Sequence, residues 1–246
     1  MRIALISDIH ANREAFEACL DHAQRNGVDE YVFLGDYVGY GADPGWVVDS
    51  VMAHVERGAI AILGNHDAAV VGHVADMNED ATTAIEWTKT KLTRTQSEFL
   101  SRLPLTQQRG AYLYVHANPV APADWGYVAD LYSASRSLVA TQAHATFCGH
   151  THVPGLFHMS ITGKFAGFDP IDRVEIPLTP RRRWLAVIGS VGQPRDHNPA
   201  ACYALLDDTH DVLTYIRVPY DIDTAAKKIR DAGLPIGLGY RLYQGY

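Results

Sequence analysis

Along this chain, short apolar runs repeatedly break off at an Asp, His or Asn. Residues 3–7 run into Asp8-Ile9-His10, residues 31–34 into Gly35-Asp36, and residues 59–63 into Gly64-Asn65-His66-Asp67. Residues 110–115 end at His116, and residues 145–148 at Gly149-His150-Thr151-His152. Rich in β-formers, these five runs predict buried strands. Between them the apolar period changes. Phe16, Cys19, Leu20 and Ala23 share one face of a predicted helix that begins near Asn12, a suitable N-cap, and stops at Gly27. Val47, Val48, Val51, Met52 and Val55 form a second such face after Asp43-Pro44, a cap followed by proline at the first helical position, and Gly58 ends that helix. The resulting strand–helix–strand–helix–strand order favours a parallel sheet with right-handed crossovers. Residues 68–104 predict at least two more helical pieces ending at Pro104, and residues 128–141 predict another helix.

Beyond Pro154 the texture changes. Runs at 156–159, 184–188, 201–206 and 212–218 alternate with turn-rich segments, and Asp207-Asp208-Thr209-His210-Asp211 reads as a hairpin loop. This predicts mostly antiparallel strands in a second sheet packed on the first. A short helix over 223–232 and a loose glycine-rich tail after Pro235 close the chain. No repeat or linker divides residues 1–246, which read as a single mixed α/β domain.

Composition removes several function classes. A hydrophobic content of 47% with 20% charged residues is that of a globular protein, not a disordered one. The net charge of −7 argues against a general binder of nucleic-acid polymers or membrane surfaces, while leaving room for a small anionic substrate at a metal site. Cys19, Cys148 and Cys202 are too few and too scattered for a disulfide framework, and the N-terminus lacks the features of a signal peptide. A cytoplasmic setting is expected.

The chemistry gathers at the strand ends, where ligands collect in α/β sheets. Asp8 and His10 lie two apart, so an extended backbone would point both to one side, and His150 and His152 repeat that spacing. Asp36 has the charge and position to lie between two cations, Asn65 offers a neutral carbonyl oxygen, and His116 another imidazole. Nitrogen and oxygen donors without Cys suit Mn, Fe, Ni, Zn or Co. Each histidine alone would read as an ordinary core or surface residue, as His22, His54, His144, His158 and His210 do; the ensemble carries the argument. Arg195, in the Ser190–Asp196 loop after an apolar run, has the planar fork to hold a phosphate. Arg181-Arg182-Arg183 reads as a solvated strand entrance, His197 as a weaker site residue than Arg195, and Tyr37 and Tyr40 as surface loop packing, with flanking of a bound ring as the alternative.

Taken together, Asp8-x-His10, Gly35-Asp36, Gly64-Asn65-His66-Asp67, His116 and Gly149-His150-Thr151-His152 resemble the calcineurin-like metallophosphoesterases, in that family's order and over residues 1 to about 152. The resemblance implies a two-sheet β-sandwich core flanked by helices in four αββα layers. It implies two divalent ions (Mn, Fe, Ni, Zn or Co, with Mn favoured), one on Asp8, His10, Asp36 and His152 and the other on Asp36, Asn65, His116 and His150. A hydroxide bridging them would attack phosphorus, with His66 as general acid or as a stabiliser of transition-state charge, and Asp67 orienting the His66 ring. Asn65 and Arg195 would contact substrate. The implied activity is hydrolysis of phosphodiesters or phosphomonoesters, as in the small prokaryotic phosphodiesterases. Asymmetrical hydrolysis of dinucleoside polyphosphates is the alternative, and a non-catalytic scaffold of the same fold is the third reading. One departure bears on substrate. The family's phosphoprotein phosphatases and symmetrical dinucleoside-tetraphosphate hydrolases carry Gly-Asp-x-x-Asp-Arg-Gly, whereas Gly35-Asp36-Tyr37-Val38-Gly39-Tyr40-Gly41 lacks the second Asp and the Arg. The expectation therefore turns to a small phosphorylated substrate, nucleotides included.

Overall fold

The computed structural model describes residues 1–73 and 77–246. The strand–helix alternation of the N-terminal part is present as β1 (Arg2–Ile6), α1 (Arg13–Arg25), β2 (Glu30–Phe33), α2 (Pro44–Val55) and β3 (Ile60–Ala61), with the three strands parallel. The Asn12 side chain caps α1 by accepting from the Ala15 amide at 3.1 Å. Asp43 precedes α2 without capping it; its carboxylate instead takes the Lys228 ammonium at 2.7 Å. Helices α3 (Asn65–Val70), α4 (Glu79–Lys89) and α5 (Arg94–Ser101) follow. The helical expectation over 68–104 includes residues 74–76, which lie outside the described residues.

The remainder comprises β4 (Thr106–Arg109), β5 (Tyr112–Val115), α6 (Leu131–Ala140), β6 (Ala145–Cys148), β7 (Gly155–Ser160), β8 (Phe165–Phe168), β9 (Glu175–Pro177), β10 (Arg182–Val187), β11 (Ala201–Asp207), β12 (Val212–Val218), α7 (Ile222–Asp231) and α8 (Ile236–Gln244). The strands make two six-stranded mixed sheets, in the orders β3-β2-β1-β11-β12-β9 and β4-β5-β6-β10-β7-β8.

The two sheets face each other across an apolar interior, and helices cover their outer faces. Along β1, Ile3 and Leu5 enter the layer between the sheets, while Ala4 and Ile6 pack towards α1 and α2. Along β10, Trp184 and Ala186 point inward, and Leu185 and Val187 pack against α6. Covering both faces explains why these strands read as unbroken apolar runs rather than as alternating patterns.

Three expectations need correction. The strands after Pro154 do not form the second sheet by themselves. β11 lies antiparallel beside β1 in the first sheet, while β10 lies parallel to β6 in the second. The alternation of β11 suits its central place: Cys202, Ala204 and Leu206 enter the interior and Ala201 and Tyr203 face the helices. The single strand expected over 110–115 is a hairpin, since the polar Thr106–Arg109 segment forms β4 at the sheet edge, where little apolar patterning is needed. The loose tail is helix α8. Its glycines hid it, because glycine is a poor helix former. Gly239 faces α7, where a Cβ would lie 3.4 Å from the Ala226 carbonyl oxygen, an ordinary contact distance. Leu238 and Leu242 then pack with Ala226 and Ile229 of α7, Ala81 and Ala84 of α4, and Tyr40. Among the described residues no helix is long and apolar enough to cross a membrane.

If α8 is a packed element, Leu238→Ala should cost about 2–5 kcal/mol and lower the urea midpoint clearly. Tyr240→Ala, on the exposed face of the same helix, should stay within about 0.5 kcal/mol. Equal midpoints for the two variants would contradict the docking of α8.

Candidate metal centre

Parallel strands from both sheets end side by side. Asp8 and His10 follow β1, Asp36 follows β2, and Asn65 follows β3 from one sheet; His116 follows β5, and His150 and His152 follow β6 from the other. The Asp8–His10 pair does not use the extended geometry expected from its spacing. Asp8, His10, Asp36, His150 and His152 have φ of 54°, 49°, 56°, 68° and 60°, in the left-handed region that Asp and His enter more readily than most residues. Tight turns, rather than straight strand ends, therefore aim these side chains. Backbone bonds tie the turns together: the Asp8 amide donates to Gly35 O at 3.1 Å, His10 to Asp36 O at 2.9 Å, Gly149 to His116 O at 2.8 Å and Gly192 to Asp8 O at 2.8 Å.

The donors fall into two groups that fit divalent cations. Asp8, His10 and His152 form one, and Asp36, His116 and His150 the other, with the candidate ligand atoms of each group within 4.8 Å of one another; His10, Asp36 and His66 form a third cluster within the same limit that overlaps both. Asp36 Oδ2 lies 3.7 Å from His10 Nε2 and 3.3 Å from His116 Nε2, between the two groups. Asn65 Oδ1 is 3.1 Å from His116 Nε2, and Asp8 Oδ1 is 3.3 Å from His152 Nε2.

The chemistry of this donor set is the test of whether a cation belongs here. Three rings are held through Nδ1 on backbone carbonyls: His10 on Val38 O at 3.1 Å, His116 on Leu34 O at 2.7 Å and His152 on Gln193 O at 2.6 Å. Each ring then donates through Nδ1–H and turns Nε2 to the centre, where it can ligate a metal once free of any proton, the arrangement typical of metal-ligating histidine. His10 Nε2 and His152 Nε2 consequently face each other at 3.0 Å, two acceptors with nothing to donate between them. In the second group His150 turns Nδ1 towards His116 Nε2 at 3.2 Å. The residues present fit bound divalent ions.

Ionisation follows from burial and from the two carboxylates. Burial, then the neighbouring His66 and His152 charges, hold the His10 imidazole well below its ordinary value. Burial also works against the His116 cation, but Asp36 and Asp8 outweigh it and raise that ring to about 9. For Asp36 the order is similar: burial opposes its charge, but His116 and His66 hold it well below the usual carboxylate range.

His66 lies beside the two groups, with ring centroids 4.7 Å from His10 and 4.6 Å from Tyr40. Its backbone amide donates to Asp36 Oδ1 at 2.9 Å. Asp67 does not orient the His66 ring. Its carboxylate accepts the amides of Asp36, Tyr37, Val38 and Gly64 at 2.8, 3.0, 3.3 and 3.1 Å, which ties the Asp36 turn to the start of α3. All four partners are donors, so the geometry calls for the ionised form, although burial and then the Asp36 charge push this carboxyl up to about 7. Among the described residues His66 Nδ1 is buried without a hydrogen-bond partner. Gly39, with φ of +85°, packs directly on it, and a Cβ there would collide with Nδ1. Gly39, at the position of the loop motif's second Asp, thus leaves this imidazole with no carboxylate behind it among the described residues. Burial lowers the His66 ring to about 4.

Of the remaining sequence candidates, Arg195 reaches the cleft, which it lines together with Asp36, Asn65, His66, His150 and His152. Its guanidinium donates to Gln193 Oε1 at 3.0 Å and to the Tyr40 hydroxyl at 3.4 Å. His197 instead stacks on Tyr246, with ring centroids 5.9 Å apart. Neither Tyr37 nor Tyr40 is surface packing. Tyr37 is fully buried and donates to Ile62 O at 2.6 Å, whereas Tyr40 is buried beside His10 and His66 and lines the cleft. Sequence reasoning missed Tyr127, whose ring stacks on His150 with centroids 4.3 Å apart and planes 13° apart. The only available signal was aromatic residues in the Pro- and Gly-containing loop after His116, which is too weak to separate from loop packing.

Comparison with known proteins finds relatives that span the chain. The sequence profile described as the calcineurin-like phosphoesterase superfamily domain matches residues 1–211. The crystal structure of a metallophosphoesterase from Sphaerobacter thermophilus superposes with a TM-score of 0.88 at 35% identity, covering 100% of this chain and 99% of that one. An uncharacterized protein of Methanocaldococcus jannaschii is 34% identical over 249 residues, 99% of this chain and 98% of its own length. A hypothetical protein from Pyrococcus horikoshii shares the fold, with a TM-score of 0.78 at 18% identity, covering 100% of this chain and 98% of that one.

Two outcomes are expected. After reconstitution with Mn²⁺, elemental analysis should find about two equivalents bound; Asp36→Asn should weaken both sites, and Asp8→Asn mainly one. Equal loss in the two variants would contradict the central place of Asp36. Below about 9 the His116 ring carries a proton that a cation must displace. Mn²⁺ affinity measured against a competing chelator should therefore rise from about pH 7 to about 9, and that contribution should fade above it.

Proposed function

The chain belongs to the calcineurin-like phosphoesterase superfamily, and from that premise we propose that it is a dinuclear, metal-dependent hydrolase of small phosphodiesters or phosphomonoesters. The observation that carries the reading is the set of Nδ1-anchored imidazoles converging on the two sides of Asp36 Oδ2. Asp8, His10, Asp36 and His152 would hold one ion, and Asp36, Asn65, His116 and His150 the other, with manganese the favoured metal. When bound, the ions supply Lewis acidity at the phosphoryl oxygens and a strong nucleophile at neutral pH.

The chain's own groups do the rest. Arg195 offers donors to a phosphate oxygen from the cleft wall, a task suited to a planar guanidinium. Asn65 serves the substrate through its side-chain amide as well as the ion through its oxygen. His66 has its Nδ1 sealed against Gly39, which leaves Nε2 for the cleft. A ring lowered to about 4 is neutral at physiological pH, so His66 acts there as a neutral hydrogen-bond donor to charge developing on the leaving oxygen. It becomes a general acid only when a bound anion raises it. The loop that lacks the second Asp and the Arg turns the substrate away from phosphoproteins and towards a small phosphorylated molecule, a nucleotide included. Three buried, unpaired cysteines support a reducing, cytoplasmic setting.

Turnover of bis-p-nitrophenyl phosphate and p-nitrophenyl phosphate with added Mn²⁺ tests the reading. Failure to hydrolyse either ester with Mn²⁺, Fe²⁺, Ni²⁺, Zn²⁺ or Co²⁺ would overturn it. His66→Ala should reduce turnover by about 10²–10⁴-fold with metal content retained. The loss should vary little with leaving-group basicity if His66 stabilises charge, and should grow steeply with it if His66 delivers a proton.

A further inference from the structure

A second depression adjoins the cleft, and Tyr127 lies between them. Its ring lines the cleft beside Tyr40 and Arg195, and it also lines an open groove of about 220 Å³ with Asn118, Asp124, Ser133 and Arg136. One face of the Tyr127 ring rests on His150, yet the residue is 57% exposed, so the other face is open. This is unusual economy for a surface loop, since a stacked and oriented ring has already lost the freedom that binding would otherwise cost. A planar group laid on the open face would sit two ring spacings from His150. Phosphate, sugar and base together span that separation.

The polar residues of the groove indicate what kind of plane would fit. The Asn118 side chain is occupied in shaping the loop: it accepts from the amides of Val120 and Ala121 at 3.0 and 3.2 Å and donates to Gly126 O at 2.8 Å. Ser133 is likewise engaged, with Asp130 at the start of α6. Arg136 and Asp124 are different. Among the described residues neither side chain has a hydrogen-bond or ion-pair partner, and although they line the same groove they do not pair with each other. The groove therefore presents one unengaged donor fork and one unengaged acceptor beside an open aromatic face. A plain aryl group would use only the ring. A nucleobase edge, which carries both donors and acceptors, would use all three.

We propose that this groove is a nucleobase subsite, so that the substrate is a nucleoside phosphate or its ester, with the phosphate in the metal cleft and the base stacked on Tyr127. The proposal rests on the phosphoesterase reading for its orientation. Stacking of one base on an aromatic side chain is worth roughly a tenfold gain in affinity or more. The Tyr127 hydroxyl is not needed for it; the ring is.

The test is a binding measurement, independent of turnover. The methylenephosphonate analogues of adenosine 5′-monophosphate and of ribose 5-phosphate, in which a C–P bond replaces the scissile ester bond, are titrated calorimetrically into the Mn²⁺-reconstituted protein. Wild type should prefer the nucleotide analogue by about tenfold or more. That ratio should fall towards one in Tyr127→Ala, survive in Tyr127→Phe, and drop partway in Arg136→Ala, a change on the exposed surface of α6 that folding should tolerate. Equal affinity of wild type for the two compounds would overturn the subsite, as would a preference that persists in Tyr127→Ala. A base preference in a protein that hydrolyses no phosphate ester would retain the subsite and remove the esterase reading.

Discussion

Two carboxylates buried with no lysine or arginine beside them among the described residues are the constraint on which the rest of this structure depends. Asp8 and Asp36 are 0% and 1% exposed, and among the described residues their only ion-pair neighbours are histidines. Removing such charges from water costs several kcal/mol each unless they are compensated. Part of the compensation is visible in the backbone. The His150 amide donates to Asp8 Oδ2 at 2.9 Å, and the His66 amide to Asp36 Oδ1 at 2.9 Å. The remaining deficit is what makes the centre attractive to divalent cations.

Holding these donors in place sets the requirements for the surrounding loops. Left-handed backbone at five donor positions stores strain of roughly 1–3 kcal/mol each, which only a well-tied surrounding structure can sustain. The ties come from three directions. The turn after β2 is gripped by Asp67 through four amides. Val191 and Gly192, in the loop after β10, donate to Ser7 O and Asp8 O at 3.0 and 2.8 Å, which joins the second sheet to the first. From behind, α7 and α8 pack on α4 and Tyr40, whose ring touches His10 and His66. The C-terminal helices are thus part of the support for a centre made entirely of residues from the first two-thirds of the chain.

Much of this was legible in the residues. Strand runs ending in Asp, His or Asn marked the donors, because a buried parallel strand must be apolar on both faces and its carboxyl end is where polarity can return. Arg195 was legible as a planar cation in a loop after a strand. The role of Asp67 was not. Its carboxylate and the His66 ring are adjacent in sequence, which suggests a pair, yet helix geometry turns consecutive side chains apart and leaves the carboxylate to the amides of another loop.

By itself the sequence determined the type of most elements, the gathering of Asp and His at strand ends and the family, since these depend on local periodicity and on residue chemistry at strand ends. The tertiary structure alone decided which sheet each late strand joined, because β11 and β10 carry the same two-sided apolar pattern and only pairing distinguishes them. It also decided that α8 is a packed helix, since burial of Leu238 and Leu242 against α7 and α4 outweighs the glycines that weaken it locally. Finally, it decided that Tyr127 stands at the rim beside His150, a juxtaposition of residues 23 positions apart in two loops that no pattern along the chain encodes.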